Sequence, residues 1–231
     1  MLMDIAGTPR KKAYRGFAME GQIASWYARN TAGDMPEFEA LAARIAQRLP
    51  VRAGVLQVAV LEVAPGPGYL AVALAKLGPY RVCGLDISRS FVRMATEAAA
   101  IAGVTAEFRL GDAAAMPYPA DSFDFVVCRA AFKNFTDPVG ALREMHRVLR
   151  PGGEALIIDM RNDASDAAID HRVEEMKLTR FSAFVTRAIF KHSLRKRAYG
   201  RDDFLRMAAG TPFGSAEIRD EPLGFEVRLR K

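Results

Sequence analysis

The chain has 231 residues, of which half are apolar and 26% are charged, and its formal charge is +6. This length and composition are typical of one globular domain and leave ample apolar material for a core. A positive charge this small does not by itself indicate binding to nucleic acid. No apolar run reaches the ~20 residues that a transmembrane helix needs, and residues 1–16 lack the continuous apolar core of a signal peptide.

The two cysteines, Cys83 and Cys128, lie in apolar runs that are typical of buried strands. They form neither a metal-binding spacing nor a disulfide framework, so they are interpreted as small buried hydrophobic residues. A protein of this kind is expected in the reducing cytoplasm. The sequence therefore predicts a cytoplasmic protein without a metal site.

The first part of the chain has a helical pattern. Residues 20–49 are predicted to form two helices, with a break at residues 33–36. Asp34 is the expected cap of the second helix, because Pro36 then falls at an early helical position.

Farther along, short apolar runs alternate with helical segments. Because these strands are apolar throughout, we expect a parallel sheet covered by helices on both faces. The predicted strands are 55–63, 81–85, 105–109, 123–128 and 154–159, and the helices between them are 69–77, 91–102 and 139–149.

The alternation stops after Asp159. Residues 164–197 are mostly helical, and another helix is expected at 202–209. The last two predicted strands, at 216–219 and 225–229, are expected to form a hairpin on the sheet edge.

The run LEVAPGPGYLA joins the first predicted strand to a helix. The small residues Ala64, Gly66 and Gly68 allow a ligand to approach the backbone, and a helix start presents free N–H groups. Eighteen residues beyond Gly68, Asp86 ends the next strand, where its carboxylate can accept hydrogen bonds from both hydroxyls of a ribose. This combination favours a nucleoside cofactor over a purely structural turn.

The spacing of the small residues helps to identify this cofactor. A dinucleotide site uses glycine at the first, third and sixth positions, whereas here the small residues alternate and follow Glu62. A nicotinamide oxidoreductase is also disfavoured because neither Tyr14 nor Tyr27 has a lysine four residues later. NAD is therefore expected to bind only weakly.

In these residues the chain resembles the class I S-adenosylmethionine-dependent methyltransferases. Their first motif also has an acidic residue followed by alternating small residues, and the resemblance continues through CGLDIS, GDAAAMPYPADSFDFVVC and MHRVLRPGGEALIID. It covers roughly residues 20–160 and is most similar to the small-molecule branch that includes quinone and sterol methyltransferases. Ala64 stands where glycine is usual. Pro65 and Pro67 lack N–H donors, so Tyr69 and Leu70 are expected to supply N–H groups instead.

The resemblance implies the fold and the cofactor. The fold would be a doubly wound, Rossmann-like α/β domain with a seven-stranded sheet and an antiparallel terminal hairpin. The cofactor, S-adenosyl-L-methionine, would lie across the carboxyl ends of the first, second and fourth strands. Tyr27 is either an aromatic lid over the cofactor or part of the helix core. The implied cofactor-binding residues are Tyr27, Glu62, Ala64, Gly66, Gly68, Tyr69, Asp86, Ile87, Asp112, Ala113 and Arg129.

The loop after the fourth strand would lie beside the reactive methyl. Related enzymes often carry histidine where Lys133 and Asn134 stand, so the catalytic residue remains open. Lys133 either faces solvent or contacts the substrate together with Asn134. His146 is expected to point away from the ligand crevice, while His171 and His192 are either surface residues or substrate contacts.

Residues 164–201 form the insertion that we expect to cap the active site. Residues 185–201 mix apolar side chains with Arg and Lys, a pattern that suits a solvated helix, a cap over an acidic or amphipathic substrate, or a nucleic-acid or membrane contact. Under the cap hypothesis, Phe184 lines an apolar pocket and Arg195 meets a negative charge.

The sequence therefore predicts one methyltransferase domain that transfers a methyl group to oxygen or carbon of a small-molecule acceptor. An RNA or protein methyltransferase and a cofactor-binding protein without transfer activity are the alternatives. CRAAFKNF stands where the nucleic-acid enzymes often carry an Asn/Asp-Pro-Pro-Tyr/Phe motif, so nucleic acid is not the expected substrate. The oligomeric state is open, with a homodimer among the options.

Overall fold

The sheet at the centre of the protein has seven strands in the order β3-β2-β1-β4-β5-β7-β6. The structure is a computed structural model that describes residues 19–49, 57–176 and 178–231. The first five strands are parallel, and β7 lies between β5 and β6, antiparallel to both. The strands are β1 (Ala59–Val63), β2 (Arg81–Asp86), β3 (Ala106–Leu110), β4 (Phe123–Arg129), β5 (Leu149–Met160), β6 (Glu217–Asp220) and β7 (Gly224–Arg230).

This topology confirms the predicted α/β fold and its antiparallel terminal hairpin. Residues 1–16, which were predicted not to be a signal peptide, lie outside the described residues. So do residues 55 and 56, the first two of the first predicted strand. Among the residues that the structure describes, no helix is long and apolar enough to cross a membrane.

Helices cover both faces of the sheet. On one face, Val60 of β1 packs with apolar residues of α2 and α3; on the other, Leu61 and Val63 pack with residues of α5 and α9. The alternation of side chains along β1 explains why one short strand serves two cores. The helices are α1 (Gly21–Thr31), α2 (Met35–Ala46), α3 (Tyr69–Leu77), α4 (Arg89–Ile101), α5 (Pro138–Val148), α6 (Asp166–Glu175), α7 (Arg180–Ile189), α8 (Arg195–Arg197) and α9 (Arg201–Ala209).

The junction between α1 and α2 differs in detail from the expectation. Asp34 lies at the N-cap position of α2, but its side chain makes no capping hydrogen bond. Its carboxylate instead lies 3.4 Å from the guanidinium of Arg172 on α6. The predicted cap thus connects the N-terminal helices to the insertion after β5.

The insertion consists of α6, α7 and α8, and a π-helical turn joins α7 to α8. Its inner face packs in a small apolar cluster of its own, separate from the two clusters on the sheet. This third cluster contains Met160, Ala164, Ile169, Val173 and Ala198, with Ala183, Phe190, Leu194 and Leu223 packed against it. The helical insertion expected after β5 is therefore present.

Candidate functional site

The loop between β1 and α3 has an unusual backbone. Ala64, Gly66 and Gly68 have φ angles of 58°, 56° and 85°, in the left-handed region that glycine adopts without strain. A Cβ added at Gly68 would lie 2.7 Å from the Cβ of Ala95, so α4 packs directly on this loop. Ala64 is a strained non-glycine residue, and its N–H donates to the carbonyl of Leu85 at 2.8 Å.

A small, partly open pocket lies over this loop. It joins residues from four separate parts of the chain, and five of its lining residues are among the cofactor-binding residues expected from the sequence. The lining consists of Tyr27, Thr31, Phe38, Glu62, Ala64, Pro65, Gly66, Pro67 and Arg129. A Cβ at Gly66 would project into open space and meet only the Tyr27 ring, at 3.9 Å.

Four lining residues were not among the expected cofactor contacts: the loop prolines Pro65 and Pro67, and Thr31 and Phe38 from the N-terminal helices. Thr31 lies one helical turn beyond Tyr27, and its hydroxyl donates to the Tyr27 carbonyl at 2.9 Å. The spacing of four residues could have identified Thr31 as a pocket residue, because side chains at positions i and i+4 lie on the same face of a helix. Phe38 of α2 packs on Tyr69, with ring centroids 5.5 Å apart.

Glu62 is the least satisfied group in the pocket. Its side chain is buried, and its Oε2 atom has no hydrogen-bond partner among the described residues. Burial raises the pKa of Glu62 to about 8, against a smaller opposing effect of an N–H donor from Ala71 and the charge of Arg129. Because a buried polar atom normally has a partner, Oε2 is suited to accept a hydrogen bond from a ligand cation.

Asp86 connects the two loops that flank the crevice. Its Oδ2 accepts from the N–H of Gly66 at 3.0 Å, and its Oδ1 accepts from the N–H of Ser88 at 2.8 Å. The carboxylate is buried, which raises its pKa to about 6 despite these backbone donors. The sequence predicted a ribose-binding carboxylate at this strand end. The structure shows that the same carboxylate also joins the loop after β1 to the loop after β2. Each oxygen keeps a second lone pair, so ribose binding stays a prediction.

The other expected adenosine contacts follow β2 and β3. Ile87 comes directly after Asp86 and is 44% exposed. The N–H of Gly111 donates to the Asp86 carbonyl at 2.9 Å, which places Asp112 and Ala113 beside the same strand end. The Asp112 carboxylate accepts from the N–H of Ala114 at 2.9 Å and so shapes a tight turn.

The chain before α1 is attached to the start of α4. The carboxylate of Glu20 accepts from the N–H groups of Arg89 and Ser90, at 2.9 and 3.1 Å, while Ser88 donates to the carbonyl of Met19. These bonds keep α1 close to the crevice. The Tyr27 ring accordingly packs edge-on against Phe91, with centroids 5.7 Å apart, which makes it both a core contact and a pocket wall.

Arg129 supplies the positive charge in the pocket. Its guanidinium stacks 4.4 Å from the centroid of Phe38 and lies 3.1 Å from the Glu37 carboxylate. Glu37 also accepts from Arg172 of α6, so one carboxylate joins the pocket to the insertion. Arg129 and the carboxyl group of Glu62 therefore both lie along the wall of this pocket.

Lys133 is buried, so the interpretation that it faces solvent is wrong. Its ammonium lies 2.7 Å from Asp159 Oδ1 and 2.6 Å from the carbonyl of Ala130. Ala130 has a φ of 58°, so the lysine holds a strained turn between the ends of β4 and β5. Next to it, Asn134 is also buried, and its Oδ1 has no partner among the described residues.

The remaining predicted positions lie on other elements. The Phe184 ring on α7 is 69% exposed, and Arg195 lies 2.6 Å from Asp166 of α6. Neither is among the residues that line the pocket. His146 packs edge-on against Phe213, while His171 lies 3.4 Å from Glu175 on the exposed face of α6.

Comparisons with known proteins agree with this geometry. Residues 61–157 match the family described as "Methyltransferase domain". The match covers 97 of the 231 residues, among them the glycine loop and Asp86, and it agrees with the family that the sequence motifs predicted.

Individual curated proteins and solved structures are also similar to this chain. A demethylmenaquinone methyltransferase from Deinococcus radiodurans is 37% identical over 107 residues, which are 46% of this chain and 44% of the relative. The chain thus spans less than half the length of this curated relative. A crystal structure of a protein from Methanococcus maripaludis, described as a putative S-adenosyl-L-methionine-dependent methyltransferase, has a TM-score of 0.70 at 20% identity over 97% of both chains.

A plantazolicin methyltransferase in complex with a substrate analogue and S-adenosylhomocysteine has a TM-score of 0.69 at 12% identity, with 91% of each chain covered. At this identity the likeness shows the fold alone.

Proposed function

We propose that this protein is an S-adenosyl-L-methionine-dependent methyltransferase that acts on oxygen or carbon of a small molecule. The observation that carries the proposal is the unpartnered Oε2 of buried Glu62, beside the left-handed loop at Gly66 and Gly68. This combination offers a ligand both a buried acceptor and an accessible backbone. The quinone methyltransferases among the relatives favour an aromatic or enolic acceptor.

The pocket charges suit the amino-acid part of this cofactor. Glu62 would bind its ammonium group, while Arg129 would bind its carboxylate. Asp86 would accept hydrogen bonds from the ribose through its remaining lone pairs. When bound, the cofactor supplies a methyl group on a positively charged sulfur, which makes the carbon electrophilic.

The remaining work of the protein is to position the acceptor and exclude water. Such positioning can contribute up to ~7–11 kcal/mol in well-oriented systems. Lys133 fixes the turn after β4, and Asn134 has a buried oxygen that is available to an acceptor hydroxyl. A side-chain base is optional when the nucleophile is already a phenolate or enolate.

We further propose that residues 1–231 act as one domain, with residues 164–201 as its cap. The ion pairs from Glu37 to both Arg129 and Arg172 support this arrangement, because they tie the insertion to the pocket. Acceptor contacts of Lys133, Asn134, Phe184 and Arg195 stay predictions. We also propose a small-molecule partner, which the similarity to quinone methyltransferases favours, and a cytoplasmic location, as the sequence predicts.

The proposal is tested in two steps. Calorimetry should show binding of S-adenosylhomocysteine and far weaker binding of NAD. Tight NAD binding with no binding of S-adenosylhomocysteine would overturn the cofactor assignment. The protein is then incubated with S-adenosylmethionine and a metabolite extract, and mass spectrometry is used to search for a product heavier by one CH₂.

The second step separates the alternatives. A methylated metabolite supports the proposed enzyme. Methylation only of added RNA or protein would assign the activity to another substrate class. Cofactor binding without any methylated product in these mixtures would favour a cofactor-binding protein without transfer activity.

A further inference from the structure

The outer face of α7 carries an apolar stripe that the rest of the described protein leaves uncovered. Phe181 is 78% exposed and Phe184 is 69% exposed, and Val185 and Ile189 are 37% and 40% exposed. Their spacing of three and four residues places all four on one side of the helix. Single exposed apolar residues are common on protein surfaces and need no explanation. A continuous stripe that includes two exposed aromatic rings is unusual and does need one.

This stripe is not the inner face of the helix. Ala183 and Phe190 point to the opposite side, where they pack against the cluster around Ile169 and Val173. The helix therefore has one apolar face that fixes it to the protein and a second that has no partner among the described residues. Removing the outer phenylalanines should leave the inner packing intact.

The surroundings of the stripe are basic. Residues 166–197 contain eight Lys or Arg and four Asp or Glu, so this segment holds +4 of the formal charge of +6. Within it, Asp166 and Asp170 are already paired with Arg187, Lys191 and Arg195. These two carboxylates of α6 thus face cations of the helical segment that follows.

Two further basic residues, Arg180 and Lys196, are exposed near the two ends of the same helical segment. From these observations we propose that the outer face of α7 docks on an anionic lipid bilayer. An apolar stripe with aromatic residues and a basic flank is the pattern of a helix that lies in the membrane interface, with its apolar side among the acyl chains and its cations near lipid phosphates.

The positive charge around this face also favours a bilayer over two other candidate partners, a second copy of the chain and nucleic acid. A second copy of the chain would bring two basic surfaces together, which is unfavourable. Nucleic acid would be contacted by cations, whereas the most exposed side chains of this face are apolar rings. The bilayer alone satisfies both features of the helix.

The experiment measures co-sedimentation of the full chain with vesicles of phosphatidylcholine and phosphatidylglycerol, and with vesicles of phosphatidylcholine alone. We expect binding to the anionic vesicles that weakens with added salt. The double variant Phe181→Ser/Phe184→Ser should lose affinity by about tenfold or more, because two rings no longer leave water. Arg180→Glu should weaken binding to anionic vesicles and leave binding to neutral ones nearly unchanged.

Ile101→Ser provides the matched control. Ile101 is 88% exposed at the end of α4, outside the stripe, so its substitution should not change vesicle affinity. Thermal unfolding of each variant confirms that it is folded. The measurement needs neither cofactor nor acceptor, so it is independent of the proposed enzymatic activity.

Three outcomes would overturn the proposal. Equal vesicle affinity of the double variant and the wild type would show that the stripe does not bind lipid. A self-association that the double variant abolishes, without vesicle binding, would assign the stripe to a second copy. A raised KM for the acceptor with unchanged vesicle affinity would assign the phenylalanines to the substrate.

Discussion

The crevice above β1 and β2 and the insertion after β5 are held in different ways. In the crevice, buried carboxylates bind backbone N–H groups: Asp86 binds two of them, and its partner Gly66 lies in a strained loop. In the insertion, side chains of α6, α7 and α8 are joined by partly exposed ion pairs such as Arg195–Asp166. Buried hydrogen bonds resist disruption far more than surface pairs do, so the crevice should be rigid and the insertion adaptable.

The largest effect is expected at the buried pair between the ends of β4 and β5. Lys133→Met leaves the Asp159 carboxylate buried without its cation, which should lower the free energy of unfolding by about 3–5 kcal/mol. Urea unfolding measures this change. Adding Asp159→Asn removes the second charge but keeps an acceptor for the backbone N–H groups, so the double variant should recover much of the loss. A single variant as stable as the wild type would contradict the role of this pair.

Glu62 should give a smaller, pH-dependent effect. Its pKa is about 8 in the folded protein against 4.5 in the unfolded chain, so the folded state binds more protons between these values. The free energy of unfolding should therefore fall as the pH rises through this range, by on the order of 3 kcal/mol by pH 7. Glu62→Gln, which cannot ionise, should lack this part of the pH dependence. Parallel unfolding curves from pH 5 to 8 for the two proteins would exclude a titrating Glu62.

The same variant sharpens the cofactor assignment. Glu62→Gln should remain folded at neutral pH yet bind S-adenosylmethionine more weakly, because a neutral amide replaces the carboxylate opposite the ammonium group. Calorimetry at a single pH measures the difference. Unchanged affinity would detach Glu62 from the cofactor while leaving its effect on stability in place.

Asp86→Asn is expected to weaken cofactor binding by about 1–3 kcal/mol, through loss of charge-assisted hydrogen bonds to the ribose. Asparagine keeps one acceptor oxygen, whereas alanine would also leave the N–H groups of Gly66 and Ser88 buried without partners. Glu97→Gln, on the exposed side of α4, serves as the control. An Asp86→Asn protein with wild-type cofactor affinity would leave the carboxylate a purely structural role.

The smallest stability effect is expected in the insertion. Arg195→Glu breaks partly exposed ion pairs and should change the free energy of unfolding by less than about 1 kcal/mol. Under the cap hypothesis it should still weaken acceptor binding and leave cofactor affinity nearly unchanged, as kinetics and calorimetry would show. A stability loss as large as that of Lys133→Met would contradict the contrast between the two regions.

The features that the sequence predicted correctly are those that depend on local sequence patterns. The α/β fold and its antiparallel terminal hairpin follow from the alternating apolar runs together with the family motifs, and the loop at Gly66 is recognisable from its alternating small residues. Asp86 was identified as a site residue, although its two backbone bonds were not foreseen. The glycine loop and Asp86 lie within about 20 positions of each other in the sequence.

What the sequence did not reveal depends on contacts between distant residues. Lys133 and Asp159 are 26 positions apart and meet only because β4 and β5 are neighbours. Glu20 reaches the start of α4 across about 70 positions, and no local pattern marks that contact. Basic residues in the insertion looked free for a substrate, because their acidic partners lie on another helix.

The position of β7 has a consequence for how the protein is made. This strand, residues 224–230, lies between β5 and β6, yet it follows both of them in the chain. During synthesis β5 therefore presents an open edge until residue 230 has emerged from the ribosome, and β6 has no strand to pair with before then. An open edge can pair with other chains, so the interval before β7 arrives is when the nascent protein is most exposed to aggregation.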